Sequence, residues 1–417
     1  MSRDPIICGL DLGTNTVRTI VSQKRKGAGK LAILGIGEAP SAGMRKGMVI
    51  DVEEAVVSIR ESIKLAEQAS GYPVRSVFIN VSGPHITCRM SKGVVSVSRA
   101  DQEISKEDLT RVMNQAQSLS LPPNKEILHV LPKEYIVDGE GGVRDPLGMR
   151  GLRLEANALI VEGSTPVIKN LTKCAETLGI GIDGLALSSI ASSRAVLSKR
   201  QMELGVLLLD IGGGTSNISI FEEGGVVYTA VLPIGSDHIT NDIAIGLRVD
   251  VGLAEAIKLK YGACRPEQVN KKEMISIVSD GGSEQIDNIS RKEVAEIIEA
   301  RLEEIFELAE KELRKVSKQA LLPAGVVLTG GGARIVGMVD FAKDYLKLPA
   351  QVGIPENIEG VVDQILSPQY ATGVGLCLLG LDALEERKSS ISFFPASGAS
   401  SGGLREWFRR YFKAFLP

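Results

Sequence analysis

Residues 205–224 read GVLLLDIGGGTSNISIFEEG, and residues 6–24 read IICGLDLGTNTVRTIVSQK. Each is an apolar strand ending on an aspartate, Asp210 or Asp11, then a small Gly/Thr turn, then a second strand. Apolar residues recur along that second strand, Val17 and Ile20 in one copy, Ile218 and Ile220 in the other. The pattern predicts a β-hairpin around a glycine-rich turn. The two aspartates stand about 200 positions apart, as expected of an internally duplicated half-molecule. A third segment, AGVVLTGGGARIVGMVDFAKDYL at 324–346, takes an apolar strand into three glycines and on into an amphipathic helix.

Such turns have a chemical use. Backbone N–H groups beside glycine can approach phosphate oxygens, and Thr14, Asn15, Thr16 and Thr215 add side-chain donors. An aspartate at each strand end can hold a divalent cation, Mg2+, through water, which offsets repulsion between carboxylate and phosphate. On sequence, Asp11 and Asp210 serve metal, structure or both. Two facing hairpins would clamp a nucleoside triphosphate. Either a flat base or an α-phosphate could lie on Gly330-Gly331-Gly332-Ala333. Alone, each motif is a tight turn; together, in this order, they point to a nucleotide site. The chain has no Walker-type P-loop. Hydrolysis needs a group that orients the attacking water, and no His, Cys or Lys lies suggestively near these loops.

Helical periodicity predicts α-helices at 51–70, 166–179, 240–246, 254–260 and 290–316. In the first, Val56, Ile59, Ile63 and Ala66 share a face and Asp51 is the N-cap. In the last, Val294, Ile297, Ile298, Ile305 and Leu308 point inward. Strands are expected at 76–82, 127–138 and 156–162. Alternating strands and helices make an α/β fold. Residues 84–162 interrupt the first half with their own β-α-β-β pattern and read as an inserted subdomain.

Composition removes several function classes. A net charge of -3 argues against a strongly basic nucleic-acid binder. Five scattered cysteines without a CxxC pair, and three separated histidines, fit neither a disulfide framework nor a zinc site. The N-terminus is not a secretory signal, and no apolar run of about 18 residues spans a bilayer. Aromatics are only 4% of the chain, yet Trp407, Phe408, Tyr411, Phe412 and Phe415 crowd its end, and Trp407 is the one tryptophan. At 100° per residue these aromatics segregate from Arg405, Glu406, Arg409, Arg410 and Lys413. Aromatics opposite cations are the pattern of a helix lying in an anionic membrane interface. The plainer reading is a terminal helix docked on the body. Residues 389–403, rich in Ser and Gly, read as a flexible linker before it.

The pieces DLGTNT, LLLDIGGGTSNISIF and VVLTGGGARIVGM resemble the phosphate-1, phosphate-2 and adenosine motifs of the actin/Hsp70/sugar-kinase superfamily. GIGEAPSAGMRKGMVIDVE (35–53), INVSGPHI (79–86), LHVLPKEYIVDGEGGVRDPLGMRG (128–151), ASSRAVL (191–197) and AEAIKLKYG (254–262) narrow the resemblance to bacterial FtsA, the actin-like cell-division family, over nearly the whole chain. The resemblance implies an actin-like fold of duplicated ribonuclease H-like lobes. Lobe I would comprise 1–83, 163–199 and 365–388, with an SHS2-like insert at 84–162. Lobe II would comprise 200–243 and 325–364, carrying a further subdomain at 244–324. The linker at 389–403 and the membrane helix at 404–417 complete the chain.

It further implies an ATP site lined by Asp11, Gly13, Thr14, Asn15, Gly212, Gly213, Gly214, Thr215, Gly331 and Gly332, with Glu255 and Lys258 toward the ribose. The protein would form filaments and tether the FtsZ ring at the division septum, on the cytoplasmic side of the cytoplasmic membrane. Its insert would meet later divisome proteins. Arg291, Arg301 and Glu304, on the helix expected at 290–316, would receive the FtsZ C-terminal tail; without the resemblance they read as a solvated face. Hydrolytic relatives carry Glu or Gln in the helix before phosphate-2. Residues 185–197, LALSSIASSRAVL, hold neither, so ATPase activity is expected to be slow at most. The other readings are an actin-like type IV pilus assembly protein, a small-molecule kinase of the superfamily, or a chaperone lacking its peptide-binding domain.

Overall fold

The computed structural model describes residues 5–24, 30–118, 120–278, 285–316, 322–360 and 362–389. β1 (Ile6–Leu12) pairs antiparallel with β2 (Thr16–Lys24), and β2 with β3 (Leu31–Pro40). A short ribbon, β4 (Met44–Arg45) and β5 (Met48–Val49), leads into α1 (Val52–Ser70). Asp51 caps α1, its carboxylate accepting from the N–H groups of Glu53 and Glu54 that the first turn leaves unpaired. Val56, Ile59, Ile63 and Ala66 form its buried face. β6 (Ser76–Val81) then runs parallel to β1.

The chain next builds a separate sheet from β7 (Thr87–Ser96), α2 (Lys106–Gln117), β8 (Lys125–Val137), β9 (Glu140–Val143) and β10 (Arg153–Ser164), ordered β7-β10-β8-β9. Alternation along β10 gives the sheet two apolar faces. Leu154, Ala156, Ala158 and Ile160 pack with Val112, Met113 and Ala116 of α2, while Leu159 and Val161 join the core of the first lobe. α3 (Thr165–Thr177), β11 (Gly181–Leu187), α4 (Ser188–Val196) and α5 (Lys199–Leu204) follow.

The second lobe repeats the first. β12 (Val206–Ile211), β13 (Ser216–Glu222) and β14 (Gly225–Leu232) form the same antiparallel meander. α6 (Ser236–Leu247), α7 (Val251–Tyr261), the hairpin of β15 (Met274–Val278) and β16 (Gln285–Ser290), and α8 (Arg291–Lys315) make an outer layer. β17 (Val326–Thr329) then runs parallel to β12, as β6 does to β1. α9 (Met338–Leu346), β18 (Ala350–Val352), β19 (Ile358–Gly360) and α10 (Val362–Ile365) lead to α11 (Ala371–Ser389), which returns to the first lobe. The lobe sheets are ordered β11-β6-β1-β2-β3-β19 and β14-β13-β12-β17-β18. Registers match as well: Asp11 opposes Arg18 in one hairpin and Asp210 opposes Asn217 in the other. The duplication read from the two motifs is real, and the fold is α/β and actin-like.

Details differ from the sequence expectation. The third glycine segment does not run straight into a helix. Gly330 (φ 80°) leads into a 3-10 turn at Gly331–Arg334, and Gly337 (φ 88°) precedes α9. The helices expected at 240–246 and 254–260 start earlier. Ser236 N–H bonds the Gly212 carbonyl at 2.9 Å, and Asp250 caps α7 through Leu253 N–H at 3.0 Å. On α8 the buried stripe also takes in Ala295, Leu302, Phe306, Ala309 and Leu313, with Ile297 and Leu308 half-buried at its margins. Boundaries drawn at 200 and 244 fall inside α5 and α6, and α11 extends through Ser389. The remaining linker and the tail at 404–417 lie outside the described residues.

Glycines set how closely α11 approaches its neighbours. A Cβ on Gly375 would lie 1.8 Å from the Ala191 carbonyl of α4, and one on Gly9 would lie 2.7 Å from the Gly373 carbonyl. Gly375→Ala adds helix propensity worth about 1 kcal/mol but forces the crossing apart, so we expect a net loss of about 2 kcal/mol. Urea denaturation reads this directly, and an unchanged midpoint would show that the crossing has slack.

Candidate functional site

The two hairpin turns face each other across a cleft of about 400 Å³. Gly13, Thr14, Asn15 and Thr16 line it from one lobe, and Gly212, Gly213 and Thr215 from the other. Gly330, Gly331 and Gly332 line it from the third loop, and Glu255 and Lys258 from α7. Gly214 has a different place. A Cβ there would meet the Thr14 hydroxyl at 2.7 Å and the Lys46 backbone at 3.1 Å, so Gly214 is where the turns touch. A Cβ on Gly213 would come as near the Asn15 carboxamide, at 2.9 Å. A side chain at either position would hold the lobes apart.

Asp11 and Asp210 end equivalent strands on the cleft floor, 6% and 5% exposed. Burial pushes Asp11 up to about 6, against the pull of the Arg18 guanidinium 4.0 Å away. Burial, then repulsion from Asp11, pushes Asp210 to about 7, opposed by the hydroxyls of Ser192 and Thr372. Arg18 is shared with Glu38 at 2.5 Å and lies over the Tyr370 ring. The pair is therefore short of positive charge, which suits a divalent cation. Among the described residues no group of three or more His, Cys, Asp or Glu could hold a metal. An ion here would be held by two carboxylates and complete its shell with water and phosphate oxygens, the habit of Mg2+.

The outer end of the cleft suits a nucleoside. A Cβ on Gly331 would meet nothing within 4 Å, so this backbone is an open platform. Gly332 and Gly330 pack on Ile211 and Asp210, pinning the platform to the end of β12. Glu255 and Lys258 lie one turn apart on α7 and pair at 2.6 Å, and both also bond the Thr240 hydroxyl. Leu259, Ile335 and Val336 supply an apolar rim.

Several lining residues escaped the sequence reading: Arg18, Asn80, Ser82, Asn217 and Thr372. Arg18 and Asn217 were within reach, because each lies opposite an aspartate in a hairpin whose turn was already read. α4 brings Ser188 to the cleft and carries neither Glu nor Gln; α5, between it and the second hairpin, carries Gln201 and Glu203, but neither lines the cleft. The three residues expected to receive a peptide are not one patch. Arg291 lines the cleft and bonds Glu273 and the Tyr261 carbonyl. Arg301 bonds Asp242 through two nitrogens, at 2.5 and 2.8 Å, and also Glu304, one turn away. The tail residues Arg405, Trp407, Phe408, Arg409, Arg410, Tyr411, Phe412, Lys413 and Phe415 lie outside the described residues. Among those described, no helix is long and apolar enough to cross a membrane.

Comparison with known proteins is decisive for the family. The chain is 38% identical to cell division protein FtsA of Pseudomonas aeruginosa, over 95% of this chain and 93% of that protein. It is 39% identical to the Bacillus subtilis FtsA over 90% of this chain and 83% of that one. This chain belongs to the FtsA family of cell division proteins. The family model for cell division protein FtsA matches residues 207–375, and that for the SHS2 domain inserted in FtsA matches residues 83–162. Solved structures share the fold at low identity. A PilM–PilN type IV pilus biogenesis complex aligns with a TM-score of 0.64 at 17% identity, covering 90% of this chain and 98% of that one. MreB5 of Spiroplasma citri bound to AMPPNP aligns at 0.56 and 12% identity, covering 94% and 100%. The pilus protein is near in fold alone; the FtsA relatives are near in sequence.

The raised carboxylates give a pH signature. A carboxyl whose folded pKa is raised lends stability that is complete below its unfolded value of 3.8 and is lost as pH rises through about 6 for Asp11 and about 7 for Asp210. In the nucleotide-free protein, Asp210→Asn should flatten the loss of stability between pH 4 and 7 and raise stability at pH 7.5 by about 3 kcal/mol. Urea titrations across pH test this. Identical pH slopes in the variant and the parent would show that the pair is not strained.

Proposed function

We propose that this FtsA family member binds ATP with Mg2+ between its lobes and assembles into filaments. These filaments lie on the cytoplasmic face of the cytoplasmic membrane at the division septum and hold FtsZ there. The observation that carries the nucleotide reading is the buried, cation-poor Asp11/Asp210 pair beneath two facing glycine turns. Phosphates lie against the turns, and the base and ribose lie between the Gly331 platform and α7. What Mg2+ supplies when bound is charge neutralisation between carboxylates and phosphates. Thr14, Asn15 and Thr215 orient the phosphates, and Lys258, paired with Glu255, faces the ribose. With no Glu or Gln on α4, turnover is slow at most, and ATP acts chiefly through its binding energy on lobe closure.

The membrane reading rests on the sequence of the tail. Each basic residue near an anionic leaflet is worth about 1 kcal/mol, so one tail binds reversibly and a filament of them binds firmly. Contacts with later divisome proteins are assigned to the insert, and the FtsZ tail to the outer face of α8 around Arg301 and Glu304. The fold similarity to the pilus complex favours no second reading, since it is carried at 17% identity.

Vesicles of phosphatidylglycerol and phosphatidylethanolamine test the tether. Emission from Trp407, the one tryptophan, should shift blue when vesicles are added, and protein ending at Ser401 should no longer float with them. Flotation of the shortened chain would refute the tail as anchor. For the partner site, Arg301→Glu should weaken an FtsZ C-terminal tail peptide by about tenfold or more, the worth of a charged hydrogen-bonded pair. Unchanged peptide affinity would move the site away from α8.

A further inference from the structure

Two polar side chains on the cleft floor, Ser82 and Asn217, belong to different lobes and bond each other. Ser82 follows β6 directly; Asn217 lies on β13 opposite Asp210. The Ser82 hydroxyl donates to Asn217 Oδ1 at 2.7 Å and lies 3.3 Å from the Thr215 hydroxyl. All three line the cleft, and they are 6%, 4% and 5% exposed. Neither Ser82 nor Asn217 carries charge, so neither contributes to holding a cation. A hydroxyl and a carboxamide can each turn from one another to a phosphate oxygen or its water.

Ser82 is also the last residue before the inserted domain, whose family match begins at residue 83. Gly83 has φ 129°, a conformation open to glycine and strained for other residues. A Cβ on Gly47, in the facing ribbon turn, would stand 3.0 Å from the Ser82 carbonyl carbon, so Ser82 has little room to move alone. His85 Nδ1 accepts from Ser164 N–H at 3.1 Å, tying the strand into the insert to the strand out of it. The insert touches both lobes: the Cys88 thiol donates to the Thr229 carbonyl of β14 at 3.1 Å, and Leu187 N–H of β11 donates to His129 Nε2 at 2.9 Å.

We infer that the Ser82–Asn217 pair distinguishes a nucleoside triphosphate from a diphosphate and relays the difference to the inserted domain through Gly83. This rests on the nucleotide reading above. With the base on the Gly331 platform and the first phosphates on the turns, a third phosphate reaches the floor beside Asp11 and Asp210. There it takes the Ser82 hydroxyl and the Asn217 amide as donors and parts them from each other. A diphosphate leaves the pair bonded. Because both groups are buried, exchange of partners shifts Ser82 and, with it, the fixed turn at Gly83.

The test uses the full chain with Mg2+, ADP and a non-hydrolysable ATP analogue. Calorimetry gives the ratio of the two affinities, and hydrogen exchange reads peptides covering 83–90 and 160–168. The parent should prefer the triphosphate by about tenfold or more, as expected for two buried donors, and protect the two ligand states differently in those peptides. Ser82→Ala should bring the ratio within about threefold while leaving ADP affinity nearly unchanged. Asn217→Ser is the second variant and should do the same; it keeps a small polar group should Ser82→Ala fold poorly. Gly83→Ala should keep the affinity ratio and lose the exchange difference. A parent ratio near one, or a ratio that both floor variants preserve, overturns the sensor. An exchange difference that survives Gly83→Ala overturns the relay. A parent that binds neither nucleotide refutes the nucleotide reading itself, a separate and recognisable failure.

Discussion

Two carboxylates that a duplicated hairpin places on one buried floor are the constraint around which the molecule is arranged. Their strands end alike because the halves are alike, and the glycine turns let the halves approach until the carboxylates share an environment. Arg18 stands 4.0 Å from Asp11 and is divided between it and Glu38. Among the described residues no comparable cation stands beside Asp210, whose partners are hydroxyls. Charge at such depth costs several kcal/mol without compensation. Burial therefore raises both carboxyls, Asp210 further than Asp11, and a bound cation would relieve that cost. On the proposed reading, ligand binding and lobe closure are two descriptions of one electrostatic balance.

The packing around the cleft allows that balance to act. One apolar core runs from the first lobe through α4 to Leu208, Phe221 and Val327 of the second, so the lobes share a hydrophobic base. Above it the links are polar: Asn15 to Asp237 at 2.5 Å, and Ser82 to Asn217 at 2.7 Å. Apolar contacts near the base tolerate small rotations while remaining buried. Polar bonds at the cleft can be exchanged for bonds to a ligand at little net cost. The base and the cleft links are thus made of different chemistry, which suits the closure proposed above.

What the sequence made legible, and what it hid, follows from the range of the interactions. Asp11, Asp210 and the glycines were readable because strand, turn and strand are local. Asp51 as the cap of α1 was readable for the same reason. Asn80 and Ser82 carry no such mark. They reach the cleft only because β6 lies beside β1, a pairing across nearly seventy residues. Arg291 misled in the opposite direction. On a helical wheel it is one more exposed charge, yet as the first residue of α8 it turns into the cleft and pairs with Glu273. Residues between secondary-structure elements were misjudged most often, as with the 3-10 turn after Gly330, because their geometry depends on what they pack against.

Divergence between the two halves carries as much meaning as their likeness. The residue opposite the aspartate is Arg18 in one lobe and Asn217 in the other. Arginine there holds charge and stacks on Tyr370, fixing the floor of its own lobe to the start of α11. Asparagine cannot hold charge and instead reaches across to the other lobe. One half anchors its own lobe, and the other links the two lobes. The insert leaves the chain at the residue that Asn217 grasps, and its sheet touches β14 of the second lobe and β11 of the first. A domain grafted at that point is tied to both lobes, so under the proposed closure its attachment and both its supports would move together.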